Sequence, residues 1–442
     1  MENERIRALF EFIEQSPTAF HAAETMRQKL LAAGYTQLRE SEAWQLQPGG
    51  RYFLLRGGSA LIAFRIPSVP PLSFQIIAGH DDSPFLKIKE NPELEAEGHY
   101  VRLNVERYGG MLCAPWFDRP LSVAGRLILR TEDGIRTRLV DAKAPLLLLP
   151  SLAIHMNREA NDGQKYSIQK DMLPLFGDEN AKGSFLARMA ALAGASEADL
   201  LGHDLFVYNC MPGTVWGADG EYMSIGRLDD MECVFASLTA FLESEQAEGK
   251  ETGSVPVHCV FDHEEVGSGT CQGAGSTFLA DTLQRICEGL GLAPSDYRRL
   301  VAQSFLLSAD NAHAVHPNHG EKACPGNRPY MNRGIVIKHS ANQKYTTDGV
   351  SAALFREICA HAGVPCQDFL NHSDLPGGST LGCISVQQVP IRSVDIGLAQ
   401  LAMHSPYETA GTADPDYLIR AARCFYRCAI RTEADGSCRI LF

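Results

Sequence analysis

Apolar and polar positions along the chain change period twice. As far as Gly34 the spacing is helical. Ser16-Pro17 reads as an N-cap followed by proline at the first helical position, Phe20, Ala23, Leu30 and Leu31 fall near one face, and Gly34 closes the segment. Short apolar runs follow at Tyr52 to Leu55, Leu61 to Ile66 and Leu72 to Ala78, the last ending at Gly79-His80. These predict strands. From about residue 86 to 219 the pieces are short, β-like and broken by Gly and Pro: Tyr100 to Val105, Leu121 to Arg130 and Ile135 to Val140, then a polar stretch from Asn157 to Gly183. After Gly226, helical and strand-like patterns alternate: Asp229 to Glu245, Val255 to Phe261, Ser276 to Leu290, Phe305 to Leu307 and Gly349 to Ala362.

Alternation of this kind predicts a layered α/β sheet. The expected architecture is a discontinuous α/β catalytic domain, 1–85 plus 220–442, interrupted by an inserted β-rich domain at 86–219. A chain of 442 residues is long enough for two such units.

Composition narrows the functional classes. A formal charge of −13 argues against a nucleic-acid or anionic-membrane surface. The longest apolar run, around Ala144 to Ala153, is too short for a bilayer and contains two prolines. The 13 cysteines are scattered, with no Cys-x-x-Cys pair, which reads as reduced thiols; Cys424 and Cys428 share an expected helix face as core residues. Met1-Glu2-Asn3-Glu4-Arg5 offers no apolar signal core. The expectation is a cytoplasmic protein.

The candidate chemistry lies where strands end. Ligand-binding groups of open α/β sheets cluster beyond the carboxyl ends of strands. Phe74 to Gly79 runs into His80-Asp81-Asp82, Val257 to Phe261 into Asp262-His263-Glu264-Glu265, Phe305 to Ala309 into Asp310, and Val394 to Gly397 leads toward Met403-His404. Gly226-Arg227-Leu228-Asp229-Asp230 opens a helix. An acidic pair such as Glu264-Glu265 is by itself most often solvated surface, an Asp at a helix start is most often a cap, and a lone His is most often structural. Five such segments aimed at one edge are harder to assign that way. Adjacent carboxylates are held together well by a divalent cation, one Glu ligating and its neighbour serving as general base. A donor set of His and carboxylate without Cys suits zinc, manganese or cobalt. No Gly-x-Ser-x-Gly elbow, His-Glu-x-x-His helix or phosphate-binding loop competes, and Gly267 to Gly273 lacks dinucleotide-loop spacing.

Together these segments resemble the aspartyl aminopeptidase family of dinuclear metallopeptidases. The resemblance rests on Gly79-His80-Asp81-Asp82-Ser83-Pro84, Arg227-Leu228-Asp229-Asp230, Asp262 to Ser268, Ser308-Ala309-Asp310 through His316-Pro317-Asn318, and Leu401-Ala402-Met403-His404-Ser405. It implies two divalent ions per subunit, zinc first, held by His80, Asp229, Glu265, Asp310 and His404. Asp229 would bridge, His80 and Asp310 holding one ion and Glu265 and His404 the other. Glu264 would be the general base and Asp82 a partner orienting His80. His313, His316 and His319 would be structural or supporting. Lys338 matches a basic residue of the pocket for the substrate's N-terminal side chain. His155 matches a histidine lent to a neighbouring subunit's site, in an inserted domain that forms dimers assembling into a tetrahedral dodecamer. Departures at Asp81, His263 and Gly377 touch no implied ligand.

The implied activity is removal of N-terminal residues from peptides, with preference for Asp or Glu. A carboxypeptidase or amidohydrolase with the same metal layout, or a peptide-binding scaffold oligomer, are the alternatives.

Overall fold

The computed structural model describes residues 2–245 and 252–442; Met1 and residues 246–251 lie outside it. A nine-stranded sheet carries the molecule. Its order is Thr36–Gln37, Arg51–Arg56, Ala60–Arg65, Ser254–Phe261, Ser73–His80, Phe305–Ala309, Arg392–Gly397, Ile335–His339 and Cys366–Leu370. The four strands from Ser254–Phe261 to Arg392–Gly397 run parallel, so their carboxyl ends share one side. Every residue of Ser73–His80 and Ser254–Phe261 is buried, as a parallel strand covered on both faces requires.

Alternate side chains along these strands feed two cores. On one face Leu61, Ile77, Val260, Phe305 and Leu307 pack with the helices Glu2–Glu14, Leu228–Glu243, Gly349–Ala362 and Asp414–Arg427. On the other, Ile62, Ile76, Cys259, Phe261 and Leu306 pack with Phe278–Gly289 and Pro294–Ala302. The helix Gly349–Ala362 starts where Asp348 accepts a hydrogen bond from Ser351 N at 2.6 Å and stops at Gly363, whose φ is +64°.

A six-stranded antiparallel sheet with its own apolar cluster is built from residues 85–209, in the order Gly134–Asp141, Leu121–Thr131, Leu200–Asn209, Phe85–Ala96, Tyr100–Tyr108 and Leu175–Asp178. A five-stranded sheet joins Thr214–Trp216, Tyr222–Ile225, Glu408–Gly411, Ala399–Leu401 and Ala312–His313. It is assembled from three distant parts of the chain, which is why local pattern did not announce it.

Local expectations needed correction in places. The second helix runs Ala19–Ala32 from an extended Thr18, so Ser16-Pro17 lies before its cap. Cys428 terminates Asp414–Arg427 rather than sharing its face with Cys424. Asp229 and Asp230 sit in non-helical backbone at the head of Leu228–Glu243, and the bond between them is cis. All 13 cysteines are free. Among the described residues no helix is long and apolar enough to cross a membrane.

Gly397 couples this fold to the strand-end residues. A Cβ there would lie 1.9 Å from the Asp310 carbonyl oxygen, so Gly397→Ala must displace the Asp310 backbone. The expected cost is roughly 1–3 kcal/mol of stability, read from the denaturation midpoint, together with weaker metal retention. An unchanged midpoint would show that the backbone yields freely.

Candidate metal centre

The parallel strands deliver His80, Asp310 and the Glu264–Val266 turn to one side of the sheet, where the head of Leu228–Glu243 and the loop after Ala399–Leu401 add Asp229 and His404. Two donor groups result, His80 with Asp229 and Asp310, and Asp229 with Glu265 and His404; within each, ligand atoms lie within 4.8 Å of one another. Asp229 belongs to both. Its Oδ1 is 3.4 Å from His80 Nε2 and its Oδ2 is 3.5 Å from His404 Nε2, which also lies 3.3 Å from Glu265 Oε2.

The opposite ring nitrogens fix the tautomers. His80 Nδ1 donates to the Asp82 carbonyl at 3.1 Å, and His404 Nδ1 donates to the Gly110 carbonyl at 2.7 Å. With Nδ1 committed, Nε2 of each ring faces carboxylate oxygens; against the opposing effect of burial, the acids around His80 and His404 favour a proton there, in the place a metal ion would take. Lone pair against anion repels unless a cation stands between. Asp229 Oδ1 and Glu265 Oε1 are moreover buried without a hydrogen-bond partner. The residues fit a metal centre on these grounds. Burial raises carboxyl pKa values here: Glu264 is pushed up to about 8, and Glu265 well above its ordinary range, with Asp229 adding to burial in the latter case. Burial acts the same way on Asp229, but the imidazoles of His404 and His80 outweigh it and hold that carboxyl low.

Asp82 is the anchor beneath. Its Oδ1 accepts from Glu264 N at 3.0 Å and its Oδ2 from Glu265 N at 3.1 Å and from the Tyr108 hydroxyl at 2.7 Å. The Oδ1 atom also lies 3.3 Å from His80 Nδ1. Tyr108 and Gly110 come from the six-stranded sheet and its following loop, and sequence reasoning missed both; a tyrosine in a β-pattern and a backbone carbonyl carry no local signal of such a role.

A cavity of about 350 Å³ opens over the donors. Glu264 lines it but belongs to neither donor group. Lys338 lines it too, almost fully buried, with Nζ donating to the Asn311 carbonyl at 3.1 Å and 3.6 Å from Asp310 Oδ1. Tyr345, Phe369 and His313 form further wall. His316 and His319 are exposed, their ring centroids 5.0 Å apart and tilted by 41°, outside the cavity lining. His155 does not line the cavity of its own chain; it is exposed, beside Leu152, Ile154 and Met156.

The sequence profile of the family described as Aminopeptidase I zinc metalloprotease (M18) matches residues 12–426. The chain belongs to the M18 aminopeptidase family. A protein named probable M18 family aminopeptidase 2 from Clostridium acetobutylicum is 44% identical over 433 residues, covering 96% of this chain and 99% of that protein. One of the same name from Pseudomonas savastanoi pv. phaseolicola is 39% identical over 434 residues, covering 96% and 99%. Among solved structures, the Ape4 and Nbr1 complex superposes with a TM-score of 0.92 at 34% identity, over 96% of this chain and 86% of that one. The S. cerevisiae mApe1 dodecamer gives 0.84 at 27% identity, over 96% of both chains. This M18 protein is thus a metallo-aminopeptidase of α/β fold, a hydrolase of a zinc-dependent family.

Proposed function

We propose that the enzyme removes N-terminal residues from peptides with two divalent ions per chain, zinc first and manganese or cobalt as substitutes, and that it prefers Asp or Glu at the position it removes. The observation that carries the two-ion reading is Asp229 offering one oxygen to each of two imidazoles whose Nδ1 atoms are already committed. His80, Asp229 and Asp310 would hold one ion, and Asp229, Glu265 and His404 the other. Bound there, such ions supply Lewis acidity toward a peptide carbonyl and make water more acidic.

The chain's own groups do the rest. Glu264, beside the donors but outside both sets, takes the proton of the attacking water at its carboxylate and passes it to the leaving amine. Asp82 holds the Glu264 and Glu265 backbone, so the base cannot swing away from the ligand next to it. Lys338 brings the one permanent positive charge of the cavity lining among the described residues. An ammonium has three donors, and Asn311 uses one, which leaves capacity for a substrate carboxylate. The apolar positions Leu152, Ile154 and Met156 around His155 favour burial against another subunit. With the dodecameric mApe1 structure as analogue, residues 86–219 are proposed as an oligomerisation domain, dimers assembling into a tetrahedral dodecamer with His155 reaching a neighbour's cavity. A cytoplasmic location is part of the same proposal.

Glu264→Gln should abolish turnover of aminoacyl chromogenic substrates while metal content by elemental analysis stays near that of the parent. Near-normal rates at normal occupancy would remove the base role. Activity on carboxyl-terminal or non-peptide amides in place of free N-termini would favour the carboxypeptidase or amidohydrolase reading.

Lys338→Ala should lower kcat/KM for N-terminal Asp or Glu more than for Leu or Ala, by roughly one to two decades, as expected for a charge-assisted contact of about 1.5–3 kcal/mol. An equal loss on all substrates would make Lys338 structural.

Co-assembly of inactive His155→Ala chains with inactive Glu264→Gln chains should restore some activity, because certain sites would combine an intact Glu264 with an intact His155 from next door. Mixed oligomers verified by mass that stay dead would end the shared-site idea.

A further inference from the structure

Glu408 begins the strand Glu408–Gly411 and lies opposite Ile225, the last residue of Tyr222–Ile225, in the antiparallel ladder. From this rung the two chains diverge to the metal centre: Asp229 is four residues beyond Ile225, and His404 is four residues before Glu408. Neither path is regular. Arg227, with φ of +64°, turns back before Asp229, and Asp229 itself is non-helical; Ala402 and His404 have φ of +56° and +67°. Positive φ at a non-glycine residue is rarely adopted without outside support. The loops also approach closely, since a Cβ on Gly226 would meet the Pro406 carbonyl at 2.6 Å.

One carboxylate supports both loops at once, while Ser83 Oγ bonds the Asp229 carbonyl and Leu112 N the His404 carbonyl separately. Glu408 Oε1 accepts the His404 backbone N–H at 2.7 Å, and Oε2 accepts the Asp229 backbone N–H at 3.1 Å. Glu408 is buried at 2% exposure. Its two oxygens are thus the link between backbones whose side chains face each other across the gap between Asp229 Oδ2 and His404 Nε2.

We infer that Glu408 is a positioning residue that sets the spacing of the Asp229, Glu265 and His404 donor group by clamping the Asp229 and His404 backbones with one oxygen each, and so governs how tightly that group holds its ion. Two acceptors are required. A carboxamide offers one oxygen and would turn an amide N–H toward the second backbone N–H. The His80 and Asp310 side of the centre receives no bond from Glu408 and should be affected less.

The inference rests on the two-ion reading, and one experiment separates the two. Zinc-loaded parent and Glu408→Gln proteins are titrated with a zinc chelator, with zinc per chain and the circular dichroism spectrum followed together. For the variant, one of two zinc ions should be withdrawn at a free-zinc concentration about 10–100-fold higher than in the parent, the other shifting less, with the spectrum retained. Zinc dissociation within twofold of the parent, even alongside a lowered unfolding midpoint, would reduce Glu408 to a structural role and overturn the inference. A parent that retains fewer than two zinc ions would instead overturn the two-ion reading. Should Glu408→Gln not fold, Glu408→Asp serves: it keeps both acceptors but withdraws them by one carbon, and the same criterion applies.

Discussion

Buried negative charge is the constraint around which this molecule is built. Asp82, Asp229, Asp230 and Asp310 are nearly inaccessible, and the carboxylates of Glu264 and Glu265 join them at the same place. Removing a carboxylate from water costs on the order of several kcal/mol unless donors or cations replace the lost hydration. Lys338 and two imidazoles are too few positive groups for that many acids. Backbone N–H groups supply part of the compensation, as at Asp82 and Glu408. The unpartnered oxygens of Asp229 and Glu265 mark the part that divalent cations are suited to supply.

The fold makes this concentration affordable by keeping it on a rigid frame. Each strand end is pinned by neighbours paired along its length, and the frame is covered by helices on both faces. Function-bearing residues therefore sit at or just beyond the ends of elements held by that frame. Four of the non-glycine residues with positive φ, Arg227, His263, Ala402 and His404, lie in this region.

The six-stranded sheet participates in that region rather than merely hanging from it. Tyr108 bonds Asp82, the Gly110 carbonyl orients His404, and a Cβ on Gly109 would approach Glu265 Cβ to 3.2 Å. A change in the packing of that sheet against the catalytic sheet would be felt at the imidazole and at the carboxylates together. This contact ties any assembly built through the sheet to the geometry of the centre.

Strand-end placement of His80, Glu264, Glu265 and Asp310 was legible in the chain, because a mostly apolar run followed at once by His or acids is a local signal. The order of motifs likewise carried the family resemblance. Local pattern expected a helix around Cys424 but did not give the bounds of Asp414–Arg427, although its first-turn Asp414 and Asp416 and terminal Arg427 agree with helix polarity. The five-stranded sheet, the role of the Gly110 carbonyl and the meeting of Glu408 with both Asp229 and His404 belong to tertiary structure alone. The reason is distance along the chain: His404 and Gly110 are 294 residues apart, and Asp229 and Glu408 179. Periodicity reports which face a residue turns to the core. It holds no record of which remote backbone amide a carboxylate will reach once the layers close.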